Sequence, residues 1–556
     1  MAKTTTQQVK EKSYYDKLNT KLEQKKVPIF WFILLLGIFL ALLSFNARIS
    51  EAHDDALYIE AGYKYVHEFP NYYYTSNAPM YPMFLGVLTL IFGTNLIVFK
   101  LFSILFFVLG ATIFYKAIDK KVPEILKLLA FSFVCINYLV LYFASQTFSE
   151  PFYLLVQSIF LYYFSKYNFG ENPIGTDLKK DWKKWMLLGF FMMILTLAKN
   201  ILVFGIVAII LFYILKKAYK KALFALISFG VFKLLYEAIK NMIWGKSAIQ
   251  YQSQMGILLN KDPYDASQGT EDLAGFFGRF FDNCGLYLSK RFFQLLGFMN
   301  EDSTNVYSLL AFIVICSVCI GLYYAFKNNN ELITFMVLFA GTICFGTFFV
   351  LQARWDQPRF IMVHMPALLI GVFYGFYIIL SKSNFNQKMI VALICFVIGS
   401  MVISSSKRAL ANIPIVTKNL KGDIYYGYTP DWKNYLQISR WCADSLPKES
   451  LVACRKAPMS FVYANGKHFY PIYSVIGKDP ETQQSNPDSA LAIFRRNHVT
   501  HVLIASLRIN PKQNTGDVIN TLHNIIAPIA QKYPQKLKLV KSIGASETAE
   551  VYQINY

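Results

Sequence analysis

Two adjacent carboxylates, Asp54 and Asp55, stand in the first polar stretch of the chain, AHDDALYIEAGYKYVHEF, beside His53, Glu60, Lys64, His67 and Glu68. A carboxylate set against a hydroxyl can take its proton as a general base. One aspartate is also what a helix start calls for, since it caps backbone N–H groups and suits the positive end of the dipole. Two exceed that need, so one is expected to cap or orient while the other does chemistry. The cations that could neutralise an anion are Lys199 in LTLAKNILV, with Arg354 and Arg359 in ARWDQPRF. Glu150 opens an apolar run in TFSEPFYLL. Each has a plainer reading: Glu150 as a first-turn acid, Lys199 as an interfacial anchor, and Arg354 as the partner of Asp356, which leaves Arg359 the better anion ligand. His364 reads as a packing histidine. Tyr58 and Tyr81 could line a sugar cleft.

These residues must be held by helices in a membrane. Of 556 residues, 55% are hydrophobic and 16% charged, against roughly 25% charged in soluble domains, which excludes a soluble enzyme, a disordered chain or a secreted disulfide scaffold. Apolar segments run over 29–45, 79–93, 95–115, 122–143, 148–165, 185–199, 201–215, 222–240, 304–326, 331–351, 359–380 and 388–405. The links between them are of two kinds, short and Lys-rich or long and acidic-aromatic. They alternate, as the positive-inside rule requires, when 79–93 does not cross. That segment opens with Ala78-Pro79 and carries Pro82 and Gly86, so a re-entrant or interfacial helix is predicted. The result is about eleven crossings after a Lys-rich cytoplasmic leader (1–28), with the membrane domain at 29–405 and long outer loops at 46–78 and 241–303. The first run, Pro28 to Phe45, reads as an uncleaved span. The net charge of +21 then encodes orientation rather than nucleic-acid binding.

From about residue 406 the composition turns globular. A helix is predicted over 431–446, strands at Leu451–Cys454, His468–Ile472 and His501–Ala505, a helix from Asp488 to Asn497, and two strands around Gly544. This is an extracytoplasmic α/β domain, in which Cys442 and Cys454 could pair. Cys316 and Cys319 sit inside an apolar run and read as small apolar residues. The sequence holds no Walker-type loop, no G-x-G-x-x-G and no metal-spaced Cys/His cluster. With no N-x-[ST] sequon either, a bacterial inner membrane is the expected location, with the N-terminus inside and the C-terminal domain outside.

The acidic pair in a first outer loop, the helix DDALYIEAGYKYV, Pro79-Met-Tyr-Pro82 opening an apolar helix, Ser149-Glu150-Pro151, and Arg359-Phe360 at a late span together resemble the membrane glycosyltransferases of the GT-C fold. Within them the chain looks closest to the branch holding protein O-mannosyltransferases and the lipid A aminoarabinose transferase. Lys199-Asn200 departs from the arginine frequent in such chains, and lysine meets a phosphate as a point charge without a bidentate fork. The resemblance implies transfer of a sugar from a polyprenyl-(di)phosphate donor to a lipid, glycan or protein acceptor on the outer face. Asp54, matching the first acid of the family's pair, would be the base with Asp55 as its partner. Arg359, Arg354 and Lys199 would neutralise the leaving phosphate, with Glu150, His53, Glu60, Tyr58 and Tyr81 in support and inversion at the sugar. Paired carboxylates also suit a divalent cation, and the sequence assigns none. The competing reading is a transporter or flippase of lipid-linked sugars, which usually shows repeats and mid-membrane charges; neither is present.

Overall fold

The computed structural model describes residues 14–50, 54–248, 254–263, 265–300, 303–352, 355–382, 388–479, 481–508 and 518–556. A short amphipathic helix, α1 (Tyr14–Gln24), precedes α2 (Lys26–Leu43). The first long loop holds α3 (Asp54–His67), and α4 (Met80–Phe92) follows. The membrane bundle continues through α5 (Leu96–Ile118), α6 (Glu124–Ile136), α7 (Tyr138–Ala144), α8 (Ser149–Phe169), α9 (Leu178–Ala198), α10 (Val203–Leu215) and α11 (Tyr219–Trp244). The second long loop carries α12 (Gln254–Leu259), a hairpin of β1 (Asn260–Asp262) and β2 (Asp265–Thr270), α13 (Leu273–Gly285), a π-helical stretch at Leu286–Arg291, and α14 (Phe292–Leu295). Then come α15 (Ser308–Lys327), α16 (Glu331–Val350), α17 (Arg359–Met362), α18 (Met365–Lys382) and α19 (Lys388–Leu420).

The chain is an integral membrane protein. By length and apolarity six helices can cross a bilayer, or seven when α6 and α7, bent by 46° at Asn137, are taken as one broken span. The helices α8, α9, α10 and α18 carry the other predicted segments and fall short of that test. The bend has a local cause: Asn137 turns its side-chain oxygen onto the N–H groups of Leu139 and Val140 and caps a new helix.

The short α4 lies along α3. A Cβ at Gly62 would stand 2.9 Å from Leu85 Cβ, and one at Gly86 3.1 Å from the Gly62 carbonyl oxygen. Only glycines allow this approach, and it fastens α4 to α3. The far end of α4 (Val87, Leu90, Ile91) is exposed.

Beyond the bundle lie α20 (Pro430–Ser445), β3 (Leu451–Cys454), α21 (Ala457–Tyr463), β4 (Phe469–Pro471), α22 (Pro487–Arg496), β5 (Val499–Ala505), α23 (His523–Lys532), β6 (Leu537–Ile543) and β7 (Ala549–Ile554). The sheet order is β4-β3-β5-β7-β6, with β4, β3 and β5 parallel and β7 antiparallel to both its neighbours. Alternation along the strands feeds two layers. Ala453 and Val502 pack with Phe494, Ile525 and Ile529, while Val452, Cys454 and Leu503 join Trp432 and Tyr435 in a core continuous with that of the bundle.

Three features differ from the sequence reading. The last membrane helix does not stop near 405 but continues to Leu420, because its polar extension binds the start of the first long loop: Asn412 Nδ2 donates to the carbonyls of Leu43 and Phe45, and Asn419 Oδ1 accepts from Ala47 N. Helices α21 and α23 were not foreseen. Cys442 and Cys454 are free, buried thiols rather than a disulfide, and burial pushes them up to about 12 and about 11.

Candidate active site

Asp54 and Tyr58 stand one turn apart on α3 and therefore share a face. Asp54 Oδ2 accepts from Arg359 Nη2 at 2.6 Å, joining the first long loop to the start of α17 across 305 residues of sequence. Arg359 Nη1 reaches Glu150 Oε1 at 4.0 Å, and Lys199 Nζ meets the same oxygen at 3.2 Å. Lys199 also donates to Ser149 Oγ at 2.8 Å, which lies 3.5 Å from the Tyr58 hydroxyl. Asn77 Nδ2 donates to that hydroxyl at 3.4 Å. Two acids and two cations from α3, α8, α17 and the break between α9 and α10 thus meet in one place.

The local reasons are visible in each element. Pro151 in the first turn of α8 leaves Ser149 and Glu150 at the helix start, where an acid suits the dipole. At Lys199 the helix gives way to extended backbone (φ −156°, ψ 127°) before a 3-10 turn, so the ammonium leaves the α9 ladder and faces α8. The Arg359 guanidinium lies over the rings of Phe148 and Phe360, a planar support for a planar cation.

Two polar atoms here are buried with no hydrogen-bond partner, Glu150 Oε2 and Arg359 Nε. Such groups are costly unless something else satisfies them. Glu150 also lines a small apolar crevice walled by Phe107, Val134, Phe143, Leu154 and Met362. A second small crevice, between Phe114, Gln157, Phe160, Phe335 and Phe339, shares Val363 and Pro366 with the first. Gln157 is seven residues beyond Glu150 on α8, about 10 Å along the axis.

Asp55 faces the other way. Its carboxylate is fully buried and accepts from Ser50 N (2.8 Å), Ser50 Oγ (3.1 Å) and Ala56 N (3.0 Å). Burial pushes its pKa up to about 6 against the opposing field of Lys100. Both oxygens are taken by the loop, so the acidic pair does not offer two carboxylates to one ligand or to one cation. Among the described residues the one group of acids close enough to share an ion is Glu23, Asp119 and Glu124, where Lys127 Nζ already sits 2.7 Å from Asp119 and 2.5 Å from Glu124.

Glu60 is not with the cluster. It pairs with Lys64 at 2.9 Å on the side of α3 where Tyr63 packs edge-on against Phe461 of the C-terminal domain. Tyr81 lies beneath Tyr58, edge-on at 5.3 Å and fully buried, as a wall rather than a cleft lining. His364 is the predicted packing histidine and shares a hydrogen bond with the Tyr153 hydroxyl at 2.8 Å. His53 and Arg354 lie outside the described residues. Asp356, expected beside Arg354, is held by Lys290 at 2.6 Å and by Arg291, both buried in the π-helical stretch. Those two cations escaped the sequence reading, although a basic pair inside LYLSKRFFQLL, in a loop expected to be outer, runs against the positive-inside pattern.

Searches with the sequence match no family model and no curated protein. The architecture does have solved counterparts. The Archaeoglobus fulgidus oligosaccharyltransferase in its apo form superposes with a TM-score of 0.52 at 12% identity, over 86% of this chain and 69% of that one. The archaeal oligosaccharyltransferase AglB from Archaeoglobus fulgidus, in complex with an inhibitory peptide and a dolichol-phosphate, gives 0.52 at 13% identity over 95% and 74%. ArnT from Cupriavidus metallidurans in the apo state gives 0.51 at 10% identity over 96% of this chain and 98% of that one. The fold is GT-C. Identity this low speaks for the fold alone, and the chemistry must be argued from the residues.

Proposed function

We propose that this chain is a membrane glycosyltransferase that moves a sugar from a polyprenyl-(di)phosphate donor to an acceptor on the extracytoplasmic face. The observation that carries the reading is the meeting of Asp54 and Glu150 with Arg359 and Lys199, where Glu150 borders an apolar crevice. A donor of this class has a charged head and a long apolar tail, and the cluster suits the head while the apolar helices around it suit the tail.

In this reading Asp54 takes the proton of the acceptor hydroxyl as its oxygen attacks the anomeric carbon. The bond from that carbon to the phosphate oxygen breaks, its electron pair goes to the phosphate, and Arg359 and Lys199 neutralise the charge that develops. Arg359 Nε, buried without a partner, is the donor left for the phosphate. Lys290 and Arg291 are a second cationic pair on the same outer side, held by Asp356 until a stronger anion competes. Attack opposite the leaving group inverts the anomeric centre. The Lys-rich links are cytoplasmic, eleven helical passes cross the membrane, and residues beyond α19 form an outer domain.

The test is turnover of radiolabelled undecaprenyl-phosphate sugars by purified full-length chain. Wild type should release undecaprenyl phosphate, and Asp54→Asn should lose about 10²- to 10⁴-fold in rate, the usual worth of a positioned base. Equal turnover by the two proteins would remove Asp54 from the role. Flipping of labelled lipid without transfer would replace the enzyme by a transporter.

A further inference from the structure

Lys100 stands one turn inside α5, in LIVFKLFSILFF, and is fully buried. An ammonium costs several kcal/mol to desolvate at such a position, and an unbranched methionine would fill the same space without that cost. What the lysine adds is three donors, and all three are used. Its Nζ donates to Gln146 Oε1 at 2.6 Å, to Asn46 Oδ1 at 3.3 Å and to the Arg48 carbonyl. Three protons on three neutral oxygens saturate the group, while Asp55 supplies the opposing charge.

The acceptors belong to two separate pieces of chain. Asn46 and Arg48 lie on the segment that leads into Asp54, and Gln146 lies on the link between α7 and α8, three residues before Ser149. The first segment is tied down on every side: Asn412 and Asn419 of α19 hold Leu43, Phe45 and Ala47, the Tyr428 hydroxyl donates to the Ile49 carbonyl, and Asp55 accepts from Ser50. Of these ties, Lys100 alone also reaches the Glu150 side. Asp54 and Glu150 come from these two pieces and must meet the same guanidinium.

We propose that Lys100 is a positioning residue that sets the spacing between the two halves of the site, the Asp54 loop and the Ser149–Glu150 helix start. This rests on the reading of Asp54 as base. It assigns a mechanical task to a side chain that touches neither donor nor acceptor, and makes Gln146 its partner in that task.

The experiment uses full-length chain in detergent and a radiolabelled undecaprenyl-phosphate hexose that wild type turns over, with undecaprenyl phosphate as the binding probe. Gln146→Leu leaves the buried charges in place and removes the tie to the Glu150 side. It should lower kcat about 10- to 100-fold, the scale of an ångström-sized misplacement, with KM and the Kd for undecaprenyl phosphate within about threefold of wild type. Lys100→Met should lose kcat to a similar extent and also melt earlier, because Asp55 is left without its countercharge. In Asp55→Asn/Lys100→Met the melting temperature should recover while kcat stays low. Wild-type kcat in Gln146→Leu, or recovery of kcat together with stability in the double variant, would overturn the proposal by reducing Lys100 to a countercharge. The two readings fail separately: an active Asp54→Asn removes the base, whereas low kcat in Asp54→Asn with normal kcat in Gln146→Leu removes only the positioning role.

Discussion

In the proposed reaction Arg359 serves carboxylates first and a phosphate next. At rest its Nη2 is 2.6 Å from Asp54 and its Nη1 4.0 Å from Glu150, and the same group then meets the phosphate. A hydrogen bond to a charged partner contributes about 1.5–3 kcal/mol net. With the Asp54 side chain 33% exposed and that of Arg359 16%, solvent screening favours the lower half of that range, about 2 kcal/mol. At about 1.4 kcal/mol per decade, Arg359→Ala should weaken undecaprenyl phosphate binding about 30-fold. Arg359→Lys keeps the charge but loses the fork that spans Asp54 and a phosphate together, so its binding should fall about threefold to tenfold, with a larger loss in kcat. The assay is titration of purified protein with undecaprenyl phosphate, followed by intrinsic tryptophan fluorescence, alongside melting curves. A folded Arg359→Ala protein with wild-type affinity would refute the reasoning and shift the phosphate to Lys290 and Arg291.

Four further outcomes are expected. The Asp55 pKa is raised by burial from 3.8 to about 6, so the stability linked to its protonation is fully present below about pH 4 and is lost as pH rises through about 6. Wild-type melting temperature should show that component between about pH 4 and 7, and Asp55→Asn should lack it; identical pH profiles would contradict the assignment. Cys442 and Cys454, buried with raised thiol pKa values, should resist iodoacetamide in folded protein at pH 8 and react only after denaturation, as read by peptide mass spectrometry. Gly62→Ala places a Cβ 2.9 Å from Leu85 Cβ and 3.0 Å from Gly86 N and should cost about 1–3 kcal/mol by overpacking, seen as a lower melting temperature. Lys120→Cys, at the exposed turn after α5, should be labelled by a membrane-impermeant maleimide only once the cytoplasmic side is opened; labelling from outside would overturn the crossing count.

The sequence exposed what depends on composition and left out what depends on depth of contact. Hydropathy located α2, α5, α15 and α16 because a helix that meets lipid must be apolar, and the short apolar runs at Leu451–Cys454 and His501–Ala505 located two inner strands. Asp54, Glu150, Lys199 and Arg359 were legible as charges at span ends, which are costly unless paired, and the structure brings these four together. The division of labour between Asp54 and Asp55 was not legible, since it is decided by which carboxylate meets the Ser50 N–H. Lys100 was hidden for a similar reason: nothing local separates a buried lysine with three acceptors from one that anchors at the interface. The end of α19 was missed because hydropathy marks where lipid ends, and a helix may continue beyond it.

That continuation has a consequence for what the protein can accept. At 33 residues α19 is about 50 Å long, some 20 Å more than the roughly 30 Å of hydrocarbon in a bilayer. Its far end is stitched to the first loop by Asn412 and Asn419. The C-terminal domain is thus fastened to the bundle rather than hung from a free linker, and Phe461 packs against Tyr63 of the helix that carries Asp54. In the proposed transfer reaction, a domain fixed beside α3 in this way narrows the size and shape of acceptor that can reach Asp54.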